Sequence, residues 1–317
     1  MTYNIKNYDI SYNNLWDEIC FESANGTFLQ SMNFLSYHKN KFDDKSIMIF
    51  KDEKCIGVFP AAIDPSNKNC LHSHPGITFG GLVHISKIQG HEIIKIFHLM
   101  QEYYLKEGFT NIIYKPTPSF YHTSPSHDDI YALQILKAVR YRCDLSATLD
   151  LERELCFHTR RKRGLKKAEK NKIEISEDFD HINEFWQILT ENLKEKYDSK
   201  PVHNVKEINE IYTRFPNNIK CVFALNDKKV TGGILLFVHR NVVHAQYISA
   251  NKEGRNNSSL DYIFDYTIKK YKKKKFRWFD FGISTENEGL ELNNGLFKFK
   301  REFGSGSTIY EFYNWKL

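Results

Sequence analysis

A cluster of polar side chains follows a strand-like apolar segment late in the sequence. Residues 279–304 read FDFGISTENEGLELNNGLFKFKREFG. The carboxylates of Asp280 and Glu286 could orient an amine or remove its proton, and Lys298 could pair with a phosphate or a carboxylate. Polar residues next to glycines also form ordinary turns. Because loops after strand ends commonly carry function, we predict a functional site in this segment.

A second group of polar residues precedes a predicted helix. The strand-like segment NVVHAQYISA leads into a run of hydrogen-bond donors: Arg255, Asn256, Asn257, Ser258 and Ser259. The N–H groups at a helix start attract phosphate or carboxylate groups. The same residues could simply cap the helix, with Asn257 or Ser258 as the cap and Asp261 in support. The two interpretations are compatible, because a capped helix start can still bind an anion.

The elements that would position these residues recur in the two halves of the chain. Each half shows helices, a strand–turn–strand pattern, a further strand, an amphipathic helix and another strand. The strand–turn–strand patterns are IFKDEKCIGVFPAAI at 49–63 and FALNDKKVTGGILLF at 223–237, each with a charged turn. This order predicts an α/β (α+β) fold with two copies of one unit, residues 1–147 and 148–317. The alternation of FKFK at 297–300 predicts a half-exposed strand.

The composition is that of a globular protein for which we expect no membrane span. Of 317 residues, 41% are hydrophobic and 26% are charged, and no run of about 18 apolar residues occurs. The start, MTYNIKNYDISYNN, lacks the basic residues and apolar stretch of a secretion signal. Six scattered cysteines form no C-x-x-C pair, which is typical of reduced thiols. We therefore expect a cytoplasmic protein.

Two basic segments stand out against a formal net charge of +6. Residues 156–172 contain eight Lys or Arg and one Glu, and residues 269–277 contain seven Lys or Arg and no acid. Since the remainder is acidic, the pattern predicts local contacts with anions and not a protein that coats nucleic acid along its whole surface. No aromatic residue lies between Arg160 and Lys172 to stack on bases, so the first segment could equally be a solvated helix face.

Several common sites are missing from the sequence. It has no G-x-x-x-x-G-K-[ST] phosphate loop, no G-x-G-x-x-G after a strand, and no G-x-S-x-G nucleophile turn. The HSH sequence at 72–74 has no matched set of carboxylates or cysteines nearby. We therefore expect no nucleotide-binding site of these two types, no serine hydrolase and no bound metal.

The second half of the sequence resembles the FemABX-like branch of the GNAT acyltransferase superfamily. The matching motifs, within residues 244–304, are Y-x-x-A before the helix, D-F-G after it, S-T-x-x-x-G, and N-x-G-L-x-x-F-K. RRKRGLKKAEKNKIEI resembles the basic helix that opens the second half in that group, and FLQSMNFL and HSHPGITFGGL resemble its first half less specifically. The resemblance implies an enzyme with two tandem GNAT-like domains, each a mixed, mostly antiparallel sheet flanked by helices.

The resemblance also suggests roles for the polar residues. Acyl transfer to an amine needs a group that accepts the proton of the amine and donors that stabilise the oxyanion. Asp280 and Glu286 would orient the acceptor or remove its proton, and Tyr247 could donate a hydrogen bond or protonate a leaving thiolate. His244, between apolar neighbours, is expected to be structural. The predicted substrate-binding residues are Ser284, Asn293 and Lys298.

The expected donor site is the segment 255–259. Ordinary GNAT enzymes bind the pyrophosphate of coenzyme A with a glycine-rich [RQ]-x-x-G-x-[GA] loop, whereas Arg255, Asn256, Asn257, Ser258 and Ser259 include no glycine. Backbone N–H groups at the helix start would have to take over that role. Acyl-CoA, in the form of acetyl-CoA, is the expected co-substrate.

The resulting hypothesis is an N-acyltransferase that acylates an amino sugar, presented as a nucleotide-linked or lipid-linked intermediate of a surface polysaccharide. The acceptor follows from the cell-envelope work of the FemABX-like group and not from a motif. A close alternative is transfer of an amino acid from aminoacyl-tRNA to a peptidoglycan precursor, with tRNA as a partner. A different alternative is a non-catalytic binding protein that retains the fold.

Overall fold

The computed structural model describes residues 2–88 and 90–317. The chain divides into two compact units. Unit 1 contains residues up to 144 together with 287–291 and 309–317, and unit 2 contains 145–286 and 292–308. The chain therefore enters unit 2 once but returns to unit 1 twice.

Sixteen strands are present within residues 2–88 and 90–317. They are β1 (Tyr3–Asn7), β2 (Ile47–Lys51), β3 (Lys54–Phe59), β4 (Ala62–Asp64), β5 (Asn67–His72), β6 (Val83–His84), β7 (Asn111–Tyr114), β8 (Val139–Asp150), β9 (Glu174–Ser176), β10 (Ile219–Asn226), β11 (Lys229–Val238), β12 (Val242–Ala250), β13 (Trp278–Ile283), β14 (Thr285–Glu286), β15 (Glu291–Leu292) and β16 (Gly306–Lys316).

Ten α-helices connect these strands in the same described residues. They are α1 (Asn13–Glu22), α2 (Met32–Leu35), α3 (His91–Lys106), α4 (Asp128–Ile135), α5 (Thr159–Lys170), α6 (Ile182–Tyr197), α7 (Val205–Arg214), α8 (Lys252–Asn257), α9 (Ser259–Lys273) and α10 (Asn294–Arg301). Short 3-10 helices lie at Ile10–Tyr12, Phe28–Gln30, Ser36–Lys41, Ser119–Tyr121, Phe179–His181 and Asn287–Gly289.

Unit 1 contains two groups of paired strands. One has the order β1-β2-β3-β6, and the other runs β4-β5-β7-β16, with β5 and β7 parallel. The apolar face of α3 covers a core in which Phe97 lies 5.2 Å from Trp315, measured between ring centroids. Trp315 is fully buried. Residues 309–317 are thus an integral part of the unit 1 core.

Unit 2 is built on the strand order β8-β13-β12-β11-β10-β9. All the pairings are antiparallel except that between β12 and β13. The β10–β11 turn has Asp227 and Lys228 at positive φ, which agrees with the polar turn predicted there. On one side of the sheet, Ile263, Phe264 and Ile268 of α9 are fully buried, as their helical spacing predicts.

Two expectations about local structure differ from the observed chain. The predicted second domain, 148–317, included residues 287–291 and 309–317, which belong to unit 1 because β16 pairs with β7. The FKFK segment at 297–300 is not a strand but part of α10. The Asn293 side chain accepts a hydrogen bond from the Leu296 N–H, and this cap starts the helix.

Candidate active site

The two parallel strands of unit 2 are paired over a short distance only. The paired positions are Val242 with Trp278, Val243 with Phe279, and His244 with Asp280. Directly afterwards β12 has a bulge. Leu236 of β11 faces Ala245, and Leu235 faces Tyr247, so Gln246 is the extra residue. Because a bulge bends the strand that carries it, β12 leaves β13 at the position of the predicted catalytic residue Asp280.

Asp280 is completely buried and lies at the centre of a hydrogen-bond network. Its Oδ1 accepts hydrogen bonds from Ser146 Oγ at 2.6 Å and Thr148 Oγ1 at 3.1 Å, and from the Gly282 N–H at 3.3 Å. Its Oδ2 lies 2.7 Å from His244 Nδ1. With Asp280 ionised, His244 donates through Nδ1, and its Nε2 is left to accept a proton.

The His244 ring keeps a small exposed area, 11% of the side chain. No residue of the described chain forms a hydrogen bond with Nε2. The ring also lies over Gly282, where a Cβ would be 3.4 Å from His244 Cε1. Gly282 has a φ of 78°, a conformation that a side chain would disfavour. The imidazole that was expected to be structural is therefore paired with the predicted catalytic carboxylate.

Lys300 of α10 is a second buried charged residue in this region, with 3% exposure. Its Nζ donates hydrogen bonds to the carbonyl oxygens of Gly282 at 2.8 Å and Ile283 at 2.6 Å. Burial lowers the pKa of Lys300 to about 8, and the negative charge of Asp280 opposes this shift. Lys298, the residue predicted from the sequence, is exposed. The functional lysine position is thus two residues further along α10.

Ser284, a predicted substrate-binding residue, is 2% exposed. Its backbone is engaged, because its N–H donates to the Leu145 carbonyl at 2.8 Å and its carbonyl accepts from the Asn293 N–H at 2.9 Å. Its Oγ has no hydrogen-bond partner within the described chain. A buried hydroxyl without a partner costs about 1–3 kcal/mol. This hydroxyl is consequently a good candidate for binding a ligand.

Glu286 and Asn293 form a pair at the surface. The Asn293 amide donates to Glu286 Oε1 at 2.7 Å, and the Asn293 Oδ1 caps α10. Glu286 is exposed, in contrast to Asp280. The two predicted carboxylates therefore differ in environment, since only Asp280 is buried and paired with a histidine.

Tyr247 lies on the same face of β12 as His244. Its Oη is 2.6 Å from His203 Nδ1, and its ring is 5.0 Å from the ring of Trp186 in an edge-on arrangement. Burial raises the pKa of Tyr247 to about 12. The hydroxyl is consequently protonated at neutral pH, as the predicted role of proton donor requires.

The predicted donor segment is not the open loop that the sequence suggested. Arg255, Asn256 and Asn257 belong to α8, whose N-cap is Asn251, and Ser258 links α8 to α9 with a φ of 61°. Neither Asn257 nor Ser258 caps α9 with its side chain. The cap prediction is wrong because the chain forms a further helical turn there.

Several side chains of this segment already have partners in the protein. Arg255 donates to the Ala250 carbonyl at 2.7 Å, and Asn257 accepts from Asn171 at 3.2 Å. Ser259 is fully buried, with its Oγ 2.9 Å from Thr231 Oγ1. Asn256 remains exposed. Most of the predicted donor-binding side chains therefore stabilise the junction of α8 and α9.

A buried ion network joins three helices beside this junction. The Arg161 guanidinium contacts Asp261 Oδ1 at 2.8 Å and Glu302 Oε2 at 3.0 Å. The same guanidinium lies over the Phe299 ring at 4.7 Å. Burial raises the pKa of Asp261 to about 6. Arg161 thus fixes α5 to the start of α9 and the end of α10. Other basic residues of α5 are exposed: Arg160, Lys162, Arg163, Lys166, Lys167 and Lys170.

Within residues 2–88 and 90–317, no group of three or more His, Cys, Asp and Glu residues could hold a metal ion. In the same part of the chain, no helix combines the length and the apolar character needed to cross a lipid bilayer. The HSH segment at 72–74 instead forms local hydrogen bonds, with His72 Nε2 2.7 Å from Asp64 Oδ2.

Residues 157–301 match the family model of the acetyltransferase (GNAT) domain. The chain carries a GNAT acyltransferase domain. This domain contains His244, Asp280 and Lys300, and it lies almost entirely within unit 2. The resemblance inferred from the motifs of residues 244–304 is confirmed, as is the assignment of the protein to the acyltransferases. No curated protein sequence matches the chain significantly.

Solved structures extend the likeness to the fold of the whole chain. A crystal structure of FemX is similar with a TM-score of 0.70 and 12% identity, covering 98% of this chain and 97% of that one. The structure of L-PGS from Bacillus licheniformis gives a TM-score of 0.62 and 12% identity, with coverage of 95% and 91%.

A tandem GNAT protein from the clavulanic acid biosynthesis pathway gives a TM-score of 0.60 and 9% identity, covering 99% of this chain and 98% of that one. At these identities the structures bear on the fold alone. They confirm the predicted α/β class and the tandem GNAT-like fold.

Proposed function

We propose that unit 2 transfers an acyl group to the amino group of an acceptor, and that the His244–Asp280 pair accepts the proton of the amine. The observation that carries the proposal is the 2.7 Å contact between His244 Nδ1 and Asp280 Oδ2. It lies at the last paired position of β12 and β13. A buried carboxylate fixes the tautomer and the orientation of the imidazole, and it stabilises the imidazolium that forms on protonation.

The reaction on this site is a direct attack of the amine on the acyl carbonyl. The neutral amine forms the new C–N bond, its proton passes to His244 Nε2, and the bond to the leaving group breaks as the oxyanion collapses. The Ser284 hydroxyl is a donor for the oxyanion, since it has no partner in the described chain. Lys300 acts on the same region by holding the Gly282 and Ile283 carbonyls at the end of β13.

The donor that we favour is acyl-CoA, with acetyl-CoA as the simplest case. The GNAT domain assignment supports this choice, because enzymes of that family commonly use coenzyme A thioesters. The separation of β12 from β13 after His244 offers a place for the acyl end of the donor. The basic residues exposed on α5, next to the α8–α9 junction, are suited to its phosphate groups.

A second candidate donor is aminoacyl-tRNA, and the helical form of residues 252–257 favours it. An ordinary glycine-rich loop would present free backbone N–H groups to a pyrophosphate, whereas α8 uses its backbone groups within a helix capped by Asn251. The six exposed basic residues of α5 would attract a longer polyanion without regard to sequence. The acceptor would then be a peptidoglycan precursor.

The acceptor that we propose is an amino sugar, linked to a nucleotide or a lipid and used for a surface polysaccharide. The exposed carboxylate of Glu286 would attract its ammonium group before proton removal. The resemblance to the FemABX-like group supports a substrate from the cell envelope. The location that we propose is the cytoplasm, and the six free cysteines agree with it.

The test combines ligand binding with turnover. Purified protein is screened by thermal shift against acetyl-CoA, free CoA, total tRNA, and UDP- and dTDP-linked amino sugars. A ligand at a hundred times its dissociation constant adds about 2.7 kcal/mol of stability. Positive donors are then incubated with the amino sugars, and N-acylated products are identified by mass spectrometry. A shift with CoA species supports the first donor, and a shift with tRNA alone supports the second.

The matched variants are His244→Gln and His98→Gln. His244 is paired with Asp280, whereas His98 is exposed on α3 of unit 1. We expect His244→Gln to reduce turnover by a factor of about 10²–10⁴ while ligand-induced thermal shifts persist, because general base catalysis has that magnitude. His98→Gln should behave as wild type. Ligand binding by the wild type without any product would favour a non-catalytic binding protein and overturn the proposal.

A further inference from the structure

Tyr247 and His203 form a second pair of proton-transferring groups in unit 2. The Tyr247 Oη lies 2.6 Å from His203 Nδ1, and the His203 backbone N–H points to the same oxygen at 3.4 Å. The two rings are perpendicular, with centroids 5.9 Å apart. His203 is 7% exposed and directly precedes the Asn204 cap of α7. The pair is therefore held by both a hydrogen bond and a helix start.

The bulge in β12 determines which way Tyr247 points. In a regular strand, residues 244 and 247 would face opposite sides of the sheet. The extra residue, Gln246, reverses the alternation, so Tyr247 faces the same side as His244. The contacts agree with this assignment. Tyr247 packs on Trp186 of α6, whereas Val243 and Ala245 lie in the core formed with α9 on the other side.

His244 and Tyr247 are consequently consecutive residues along one face of β12, about 7 Å apart by strand geometry. One of them, paired with Asp280, can accept a proton. The other, paired with His203, can donate one. A transfer reaction needs both functions, because the amine loses a proton and the leaving group gains one. The spacing is suitable for a carbonyl between the two groups.

We propose that Tyr247 protonates the leaving group of the acyl donor, and that His203 is the positioning residue that directs the Tyr247 hydroxyl and restores its proton. This inference rests on the proposed function. As the bond from the acyl carbon to the leaving sulfur or oxygen breaks, its electron pair goes to that atom, which takes the Tyr247 proton. Protonated His203 then returns a proton from Nδ1 to Tyr247 Oη and is recharged from water.

The groups around the pair are compatible with this role. The raised pKa of Tyr247 keeps the hydroxyl protonated until a stronger base, such as a departing thiolate, is formed. Glu207 of α7 is the charged residue that adds to this upward shift, and the hydrogen bonds from His203 and Gln246 oppose it. A tyrosine bonded to a histidine can therefore lose a proton only transiently.

The test compares leaving groups that differ in their need for a proton. Wild type and Tyr247→Phe are assayed with glucosamine as the acceptor and either acetyl-CoA or 4-nitrophenyl acetate as the donor. We expect Tyr247→Phe to lower transfer from acetyl-CoA by about 100-fold, the effect of a lost general acid. Transfer from 4-nitrophenyl acetate should fall less than about 3-fold, because nitrophenolate leaves without a proton. Tyr266→Phe, which removes an exposed hydroxyl, is the control and should match wild type.

His203 is tested in the same assay. His203→Ala should lower transfer from acetyl-CoA about 10-fold and spare 4-nitrophenyl acetate, and His203→Asn, which keeps a side-chain amide near the hydroxyl, should restore part of the rate. Equal losses with both donors would show a structural role and overturn the inference while leaving the proposed function intact. Wild-type protein that transfers from neither donor would overturn the acyl-CoA form of the proposed function and this inference together.

Discussion

His244 and Asp280 meet at the last position where β12 and β13 are paired, with Nδ1 and Oδ2 2.7 Å apart. The strand pairing fixes both Cα positions, and the bulge that follows opens the sheet next to the imidazole. A proton acceptor is thus placed on the most rigid part of unit 2, at the edge of a gap. Catalytic groups on strands are held more accurately than groups on loops.

The first prediction concerns Asp280→Asn. The amide keeps the shape of the carboxylate but loses its charge, and one of its two polar atoms cannot accept the hydrogen bonds of Ser146 and His244. We expect the free energy of unfolding to fall by about 2–4 kcal/mol, and acyl transfer to fall at least 100-fold. Urea unfolding and the product assay measure the two effects. Asp227→Asn, in an exposed turn at positive φ, is the control and should change neither.

The second prediction is a pH dependence due to Lys300. Its pKa is about 8 in the folded protein, below its ordinary value of 10.5. Between these pH values the unfolded chain holds a proton that the folded chain has released, so the contribution of Lys300 to stability rises with pH. The stability difference between wild type and Lys300→Met should therefore increase by roughly 2–3 kcal/mol from pH 8 to pH 10.5.

Lys298→Met is the matched control for this experiment, because Lys298 lies on the same helix but is exposed. Its stability difference from wild type should not change with pH over that window. Urea unfolding at several pH values measures both differences, and the other titrating groups cancel when variants are compared at one pH. A constant difference for Lys300→Met would mean that Lys300 is charged without penalty in the folded protein.

The third prediction tests the contact between α5 and α9. A Cβ on Gly164 would lie 2.6 Å from Asp261 Cγ, and Arg161 prevents that carboxylate from moving away. Gly164→Ala should lower the free energy of unfolding by about 1–2 kcal/mol, because overpacking outweighs the better helix propensity of alanine. Gly295→Ala in α10 is the control. Its nearest neighbour would be 3.6 Å away, so it should be neutral or slightly stabilising. Equal stability of both variants would show that Asp261 is free to move.

The fourth prediction separates the two basic segments. Arg160, Arg163 and Lys167 are exposed on one face of α5, and Lys273, Lys274 and Lys275 are exposed at the end of α9. Replacing the first three with Gln should weaken binding of total tRNA and reduce the slope of log K against log salt by about 2–3. The second triple substitution removes the same charge and should leave the slope nearly unchanged. Equal effects would assign the attraction to net charge and not to α5.

The sequence predicted those elements whose signals are local. The helical spacing of Ile263, Phe264 and Ile268 identified α9, and the polar residues at 226–228 identified the β10–β11 turn. Both signals lie within a few residues, because a helix face and a tight turn are determined by neighbours along the chain.

The sequence could not show features that depend on distant partners. His244 resembles a core residue because β12 is buried, and its partner Asp280 lies on another strand. The Gln246 bulge, which turns Tyr247 towards His203, leaves no mark in the alternation of residue types. FKFK fits a strand and a helix equally well over four residues, and the Asn293 cap four positions earlier was the signal that could have decided. The same helix assignment would have distinguished buried Lys300 from exposed Lys298.

The return of residues 309–317 to unit 1 has a consequence for how the protein folds during synthesis. The ribosome makes most of unit 1 first, yet the strand that carries Trp315 emerges only after all of unit 2. Until then β7 has an unpaired edge and the cavity meant for the indole is open. Unit 2 is contiguous except for residues 287–291, so it can complete its own sheet earlier. The domain that carries the chemistry is thus expected to reach its native state before the domain that precedes it in the sequence.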